Sequence, residues 1–473
     1  MNVFIAAIAT CLTISGFTQG VSELLPADFL RLLRANHPLA AQTTLVKNYA
    51  AMELREARGA FDPKLEAEFY QKYFSDKEYY TIGNAALSWN TFIGLGLEAG
   101  YERNQGDLLN SQLFTPDNGL AYFGVNLPLL RGFGTDTDRN TWRKANLGME
   151  LALADSSLLM NDLQYLGMMA YAEWSASAEE LLVLEEGLDI ALFRLNAVKE
   201  RFFRGDLAAV DTVEALTQVQ SRQAELAEAH GRFAYYAGIM ASALWQSSEI
   251  PFSGTPTPSA QLIERALASL PLKKLVESDS VQLISLHPLI TSARIKVQNA
   301  EFDRKLAAEN IKPKLDLRYR FLHSPTTIQV SEFAPQFNPQ DYSLGLSFSL
   351  PLLLRNERGK LAQSKIKLLE AQLSLSSKSQ EVSTKFSATK EGLLRAEESV
   401  RNNESLVNGY TSLLSAENQR FEIGESSLFL VNARETRWIE SRRKLVKARA
   451  ELIKAWAELA RASGGMLWDS LMP

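Results

Sequence analysis

Cysteine is almost missing from this sequence: Cys11 is the one thiol in 473 residues. That count excludes both a disulfide framework and a cysteine-based metal site. Histidine is scarce too, with four residues, and no run of Lys or Arg exceeds three residues. With 50 basic against 55 acidic residues and a pI near 5.7, the chain has no electrostatic footprint of a nucleic-acid binder. Long apolar runs are equally absent beyond the first segment. No later stretch reaches 18 consecutive apolar residues, so no membrane-spanning helix is expected in the mature chain. The first segment, Val3 to Phe17, is too short to span a bilayer and is followed by Thr18-Gln19-Gly20. Residues 1–20 therefore read as a secretory signal.

What is present is a duplication. His37-Pro38-Leu39 opens a helical stretch that ends before Pro63-Lys64-Leu65, and His287-Pro288-Leu289 opens one that ends before Pro313-Lys314-Leu315. The spacing from His to the later Pro is 26 in both. Each half then reaches a Pro-Leu-Leu signature, at Pro128 and Pro351, and later a Gly inside a long helical pattern, Gly205 and Gly424. Repeats over 21–250 and 261–473 follow, joined by the proline-rich linker 251–260.

Within each half the hydrophobic period changes. Two-residue alternation marks strands at 64–74, 119–130, 314–322 and 342–351. A further alternating run at 87–103 has no counterpart in the second half and receives no place. The remaining stretches follow heptads: Leu181, Leu184, Leu188, Ala191, Leu195, Val198 and Phe202 in one, Val431, Trp438, Leu445, Leu452 and Leu459 in another. Two long antiparallel helical hairpins result, with tips at 205 and 424.

Alternating strands in an exported chain suit a β-barrel in lipid, because closure satisfies every backbone polar group. Two strands per half are too few to close, since small barrels need about eight. Several chains must share one barrel, with Glu66, Glu68, Arg318 and Arg320 facing a wet lumen and the Leu, Tyr and Phe faces in lipid.

The paired His-Pro helix starts, the paired Pro-Leu-Leu strand exits, and the Phe-x-x-Gly tips at Phe202–Gly205 and Phe421–Gly424 occur in one order twice. In this the chain resembles the TolC-like outer-membrane efflux protein family over essentially its whole length. The resemblance implies an α+β membrane protein: a homotrimer with a shared 12-stranded outer-membrane barrel continued by a coiled-coil helical barrel in the periplasm. It further implies tips that meet a periplasmic adaptor and an inner-membrane transporter. The contact residues carried over are Arg204, Gly205, Asp206 and Leu207, with Ile423, Gly424, Glu425 and Ser426. Pro128 and Pro351 mark the turn from barrel to tunnel. The family's acidic entrance ring has no match after Gly424, where Leu430 stands, but Asp211 and Glu214 follow the first tip and are entrance candidates.

No catalytic set, cofactor site or metal site is expected. His37 and His287 read as helix entries, because the following Pro favours a first helical turn. His230 and His323 lack partners at ligand spacing and read as solvated or lumen-facing. The implied function is passive exit from an efflux pump; a type I secretion duct uses the same fold, and a poreless periplasmic tether is the alternative of another class.

Overall fold

The computed structural model describes residues 24–252, 254, 258, 261–272, 284–325, 338 and 340–471. The expected signal segment lies outside them, as does most of the linker.

Each half begins with a helix started by a histidine. After a short α1 (Pro26–Asn36), α2 (Pro38–Gly59) is entered from His37; in the second half α6 (Pro288–Glu309) is entered from His287. Both histidines hold extended backbone, and both Nδ1 atoms accept a backbone N–H two residues on, from Leu39 and Leu289, at 3.1 Å. The histidine ring thereby satisfies a donor that the first turn leaves without an intrahelical partner. Both helices are 22 residues long. A strand follows each, β1 (Lys64–Phe74) and β7 (Lys314–His323).

The chain forms two compact units, each drawn from both halves. One unit, 44–156 with 286–381, contains an antiparallel sheet in the order β1, β2 (Lys77–Asn90), β3 (Gly96–Gln105), β4 (Leu120–Pro128), β7 and β8 (Tyr342–Ser349). Among the described residues six strands, not four, make this sheet. The run at 87–103 that received no place is the end of β2 and most of β3, a hairpin inserted between β1 and β4. Gly83 and Asn84 interrupt the apolar alternation in the middle of β2, so the sequence pattern shows only its last residues. The β1–β2 turn is two residues, Ser75 and Asp76, both at positive φ (54° and 59°) as a tight hairpin with right-handed strand twist demands.

The other unit, 24–43, 157–285 and 382–471 among the described residues, is helical. It is built from the long helices α3 (Thr137–Phe203) from residue 157 on and α7 (Arg355–Glu422) from residue 382 on, and from the return helices α4 (Ala209–Ala243) and α8 (Leu428–Ala462). A two-strand ribbon, β5 (Trp245–Ser247) with β6 (Ile250–Pro251), and a short α5 (Leu262–Ser269) complete it. The long helices have 67 and 68 residues, and both return helices have 35. At 1.5 Å per residue, α3 is roughly 100 Å long.

The heptad residues meet in this unit. Leu184, Ala191, Leu195 and Val198 are buried, as are Val431, Trp438, Leu452 and Leu459, while Leu188 and Leu445 pack against the same clusters. The largest cluster places Phe29, Tyr171, Trp174, Trp456 and Trp468 together, so α1 and the C-terminal turn close one end of the helical unit. Among the described residues no helix is long and apolar enough to cross a membrane.

Candidate transport path and docking tips

Strand register decides what each face of the sheet carries. Lys64, Ser88, Glu98, Gly124, Arg320 and Ser343 stand in one row across all six strands. The adjacent row is Leu65, Leu87, Ala99, Phe123, Phe321 and Tyr342, and it points to the opposite face because side chains alternate. Glu66, Glu68, Arg318 and Arg320 thus share the polar face with Glu98. The apolar face is the kind a bilayer accepts, and the polar face the kind a water-filled lumen accepts. His323 is a correction: it lies in register with Ala67, Ala85, Tyr101 and Ala121, on the apolar face at the end of β7, not with the lumen residues.

The polar face has a fixed centre. Arg320 grips Glu98 with two hydrogen bonds, Nε to Oε1 at 2.6 Å and Nη2 to Oε2 at 3.0 Å, and its guanidinium lies 4.5 Å from the centroid of the Tyr122 ring. Glycine at 124 leaves room for this clasp, since a Cβ there would stand 2.7 Å from the Glu98 side chain. Arg318 completes the group, 3.9 Å from Glu98 Oε1. Sequence reasoning found both arginines but missed Glu98, which sits in the strand it did not place.

The strand exits behave differently in the two halves. Pro128 is the last residue of β4 and stands opposite Asp316, while β8 ends at Ser349, two residues short of Pro351. After Pro128 the chain stays tied to the second half through Leu129 N–H to the Leu315 carbonyl, 2.8 Å, and Arg131 N–H to the Pro313 carbonyl, 3.2 Å. The buried Arg139 then knots the turn: it pairs with Asp136 at 2.9 Å and donates to the carbonyls of Ile93, Phe133 and Gly132. Nothing in the sequence pattern marks Arg139, because apart from Asp136 its side-chain partners are backbone carbonyls.

The tips are built alike. Gly205 N–H donates to the Phe202 carbonyl at 2.9 Å and Asp206 N–H to that of Arg201 at 2.9 Å, while Gly424 and Glu425 repeat this with Phe421 and Arg420 at 3.2 and 2.8 Å. This double bond pattern closes a helix through a left-handed residue, and Gly205 and Gly424 have φ of 85° and 82°. A Cβ would meet no atom within 4 Å at either place, so the dihedral, not crowding, calls for glycine. Arg204, Gly205, Asp206, Ile423, Gly424 and Glu425 are exposed, whereas Leu207 and Ser426 are half-buried. Leu207 packs with Leu428 and Phe421, and the Ser426 hydroxyl donates to Glu417 at 2.5 Å. That bond, with Arg420 and Arg434 nearby, holds the Glu417 carboxyl below the usual range. Around the tips Phe203, Val210, Ile423 and Phe429 expose large apolar surfaces, a signal that sequence reasoning did not use.

Of the entrance candidates, Asp211 and Glu214 are half-buried and Leu430 is exposed. Asp211 accepts the Ala208 N–H at 3.1 Å and so secures the start of α4. Glu214 accepts from the Asn432 amide at 3.0 Å; the Asn432 oxygen accepts from Arg194 at 3.0 Å, and Arg194 pairs with the fully buried Glu435. Nearby, Arg222 donates to the Thr436 hydroxyl at 3.0 Å. Three helices, α3, α4 and α8, are thereby tied together by polar groups just behind the tips. Among the described residues no group of three or more His, Cys, Asp or Glu stands at metal-binding distance.

Residues 280–465, which hold α6, the strands β7 and β8 and the second hairpin, match the model of the outer membrane efflux protein family. That match covers the second repeat alone, and it makes this part of the chain similar to the outer membrane efflux protein family. No curated protein sequence matches the chain. Solved structures are similar over nearly the full length of the chain. The VceC outer membrane protein of Vibrio cholerae gives a TM-score of 0.64 at 15% identity, covering 93% of this chain and 96% of that one. The CmeC outer membrane channel of Campylobacter jejuni gives 0.63 at 12% identity, covering 98% and 94%. The open state of the Neisseria gonorrhoeae MtrE outer membrane channel gives 0.64 at 14%, covering 96% and 94%. At such identities the likeness is one of fold.

Proposed function

We propose that this chain is an outer membrane efflux protein and forms the passive exit duct of a tripartite pump. Three copies form it, substrates arrive from an inner-membrane transporter through a periplasmic adaptor, and no chemistry or cofactor is involved. The observation that carries the reading is the sheet's division into a mainly apolar face and a charged face centred on Glu98 and Arg320, which is what a wall between lipid and water requires. The adaptor contact is placed at the two tips, where rigid glycine turns present Phe203 and Ile423 beside Arg204 and Glu425. The entrance is placed at Asp211, Glu214 and Leu430.

Reconstitution in a planar bilayer tests the duct. Stepwise ion conductance that rises when the mouth is loosened supports it; a protein that inserts and never conducts is a tether and ends the proposal. Export of a polypeptide rather than small molecules in cells carrying the chain would assign it to type I secretion.

A further inference from the structure

The inserted hairpin has a geometric consequence for the barrel, and the inference rests on the trimeric duct proposed above. Four observations support β2 and β3 as wall strands. Their residues continue both rows of the sheet, with Leu87 and Ala99 between Leu65 and Phe123 on the apolar face, and Ser88 and Glu98 between Lys64 and Gly124 on the polar one. They are 14 and 10 residues long, enough to cross a bilayer at the tilt of a barrel strand, which takes about 9–11 residues. Glu98 on β3 is the partner of Arg320 on β7, so the centre of the lumen face needs the hairpin. The turn joining β2 to β3 is also locked in place: Phe92 stacks on Phe61 at 4.1 Å between ring centroids, Trp89 donates to the Phe61 carbonyl at 2.9 Å, and Arg139 donates to the Ile93 carbonyl.

The sheet ends on two unpaired strands, β1 and β8, exposed along their whole length. With six antiparallel strands between first and last inclusive, β8 runs opposite to β1, so β8 of one copy can pair with β1 of the next in the same antiparallel sense that holds the rest of the sheet. Both strands carry Leu and Phe on one face and polar groups on the other, so this pairing continues both faces without a break.

We propose that three copies close through β8-to-β1 pairing into a barrel of eighteen strands, the β2–β3 hairpin adding two to each copy and widening the outer-membrane pore. Strands about 4.8 Å apart and tilted about 40° give a backbone diameter of about 36 Å for eighteen, against about 24 Å for twelve. Barrels of 16–18 strands leave an open aqueous channel. The outer-membrane section then admits bulky cargo, and restriction falls to the periplasmic mouth.

Electron cryomicroscopy of the full chain in lipid nanodiscs tests the closure, with native mass spectrometry on the same sample. Trimers with eighteen strands and a ring about 36 Å across uphold the inference. Trimers with twelve overturn it and leave the duct reading standing; particles of any other copy number overturn both. Nitroxide labels at Leu87→Cys and Ala86→Cys, each in a Cys11→Ser background, give a second reading in intact protein. A label at 87 relaxed by oxygen in the lipid phase and one at 86 relaxed by a water-soluble nickel chelate place the hairpin in the wall. Equal relaxation of both by the chelate would put the hairpin outside the bilayer and sink the eighteen-strand barrel.

Discussion

At His287 a neutral imidazole is a working part of the structure. Its Nδ1 must be unprotonated to accept the Leu289 N–H, and burial pushes its pKa down from 6.5 to about 4. Between those values the unfolded chain binds a proton that the folded chain does not, so stability falls as pH drops from about 6.5 towards 4. Thermal melts followed by helix ellipticity at pH 7 and pH 5 should show this loss. His287→Asn, which keeps a cap acceptor and cannot titrate, should flatten the dependence, whereas His287→Ala should cost about 0.5–2 kcal/mol at neutral pH. The duplicated His-Pro pairs were legible as helix entries because Pro restricts its own backbone and that of its predecessor. His323 was misplaced for the opposite reason: on a strand end, face is set by register with neighbours, which a single sequence does not print.

Among the elements, helices were the most legible and strands the least. A heptad repeats often enough to declare itself, and most of its members are buried, Leu452 among them; Leu452→Ala should therefore cost about 2–5 kcal/mol, measured by denaturant unfolding. The inserted strands were obscured because Gly83 and Asn84 break the alternation of β2, and because Glu98 looks like an ordinary surface acid until Arg320, far along the chain, is brought beside it. The polar ties behind the tips escaped for the same reason. Glu435 is fully buried with Arg194 as its described partner, so Arg194→Met should leave an unpaired buried carboxylate and cost about 3–5 kcal/mol in a stability assay. The tip glycines, by contrast, announce themselves through spacing alone. Gly205→Pro or Gly424→Pro removes the N–H that closes the turn and imposes a negative φ where 85° or 82° is required. Trimers should still assemble on native gels while efflux, read from drug susceptibility, is lost; normal efflux by both variants would move the docking surface elsewhere.

For the whole molecule, three copies of Asp211 and Glu214 near one axis would draw cations to the entrance. Divalent ions added on the periplasmic side should lower single-channel conductance, and Asp211→Ala with Glu214→Ala should remove that block. An unaltered response would show those carboxylates facing away from the path. The combination of an antiparallel sheet with long helical hairpins was readable because periodicity and duplication survive where identity does not, but the strand count was not. The open sheet carries a demand of another kind. A lone copy leaves the backbone N–H and C=O groups of β1 and β8 unbonded at two edges, and its apolar face, with Leu65, Phe69, Leu346 and Phe348 all largely exposed, uncovered. Such a subunit is a template for aggregation on any sticky edge it meets. Biogenesis therefore becomes a problem of timing: folding of the strands, meeting of the subunits and entry into lipid have to proceed as one concerted event, its rate climbing steeply with subunit concentration. A subunit truncated before β8 could join at one edge and never close the ring, so co-expressing it should poison the intact protein.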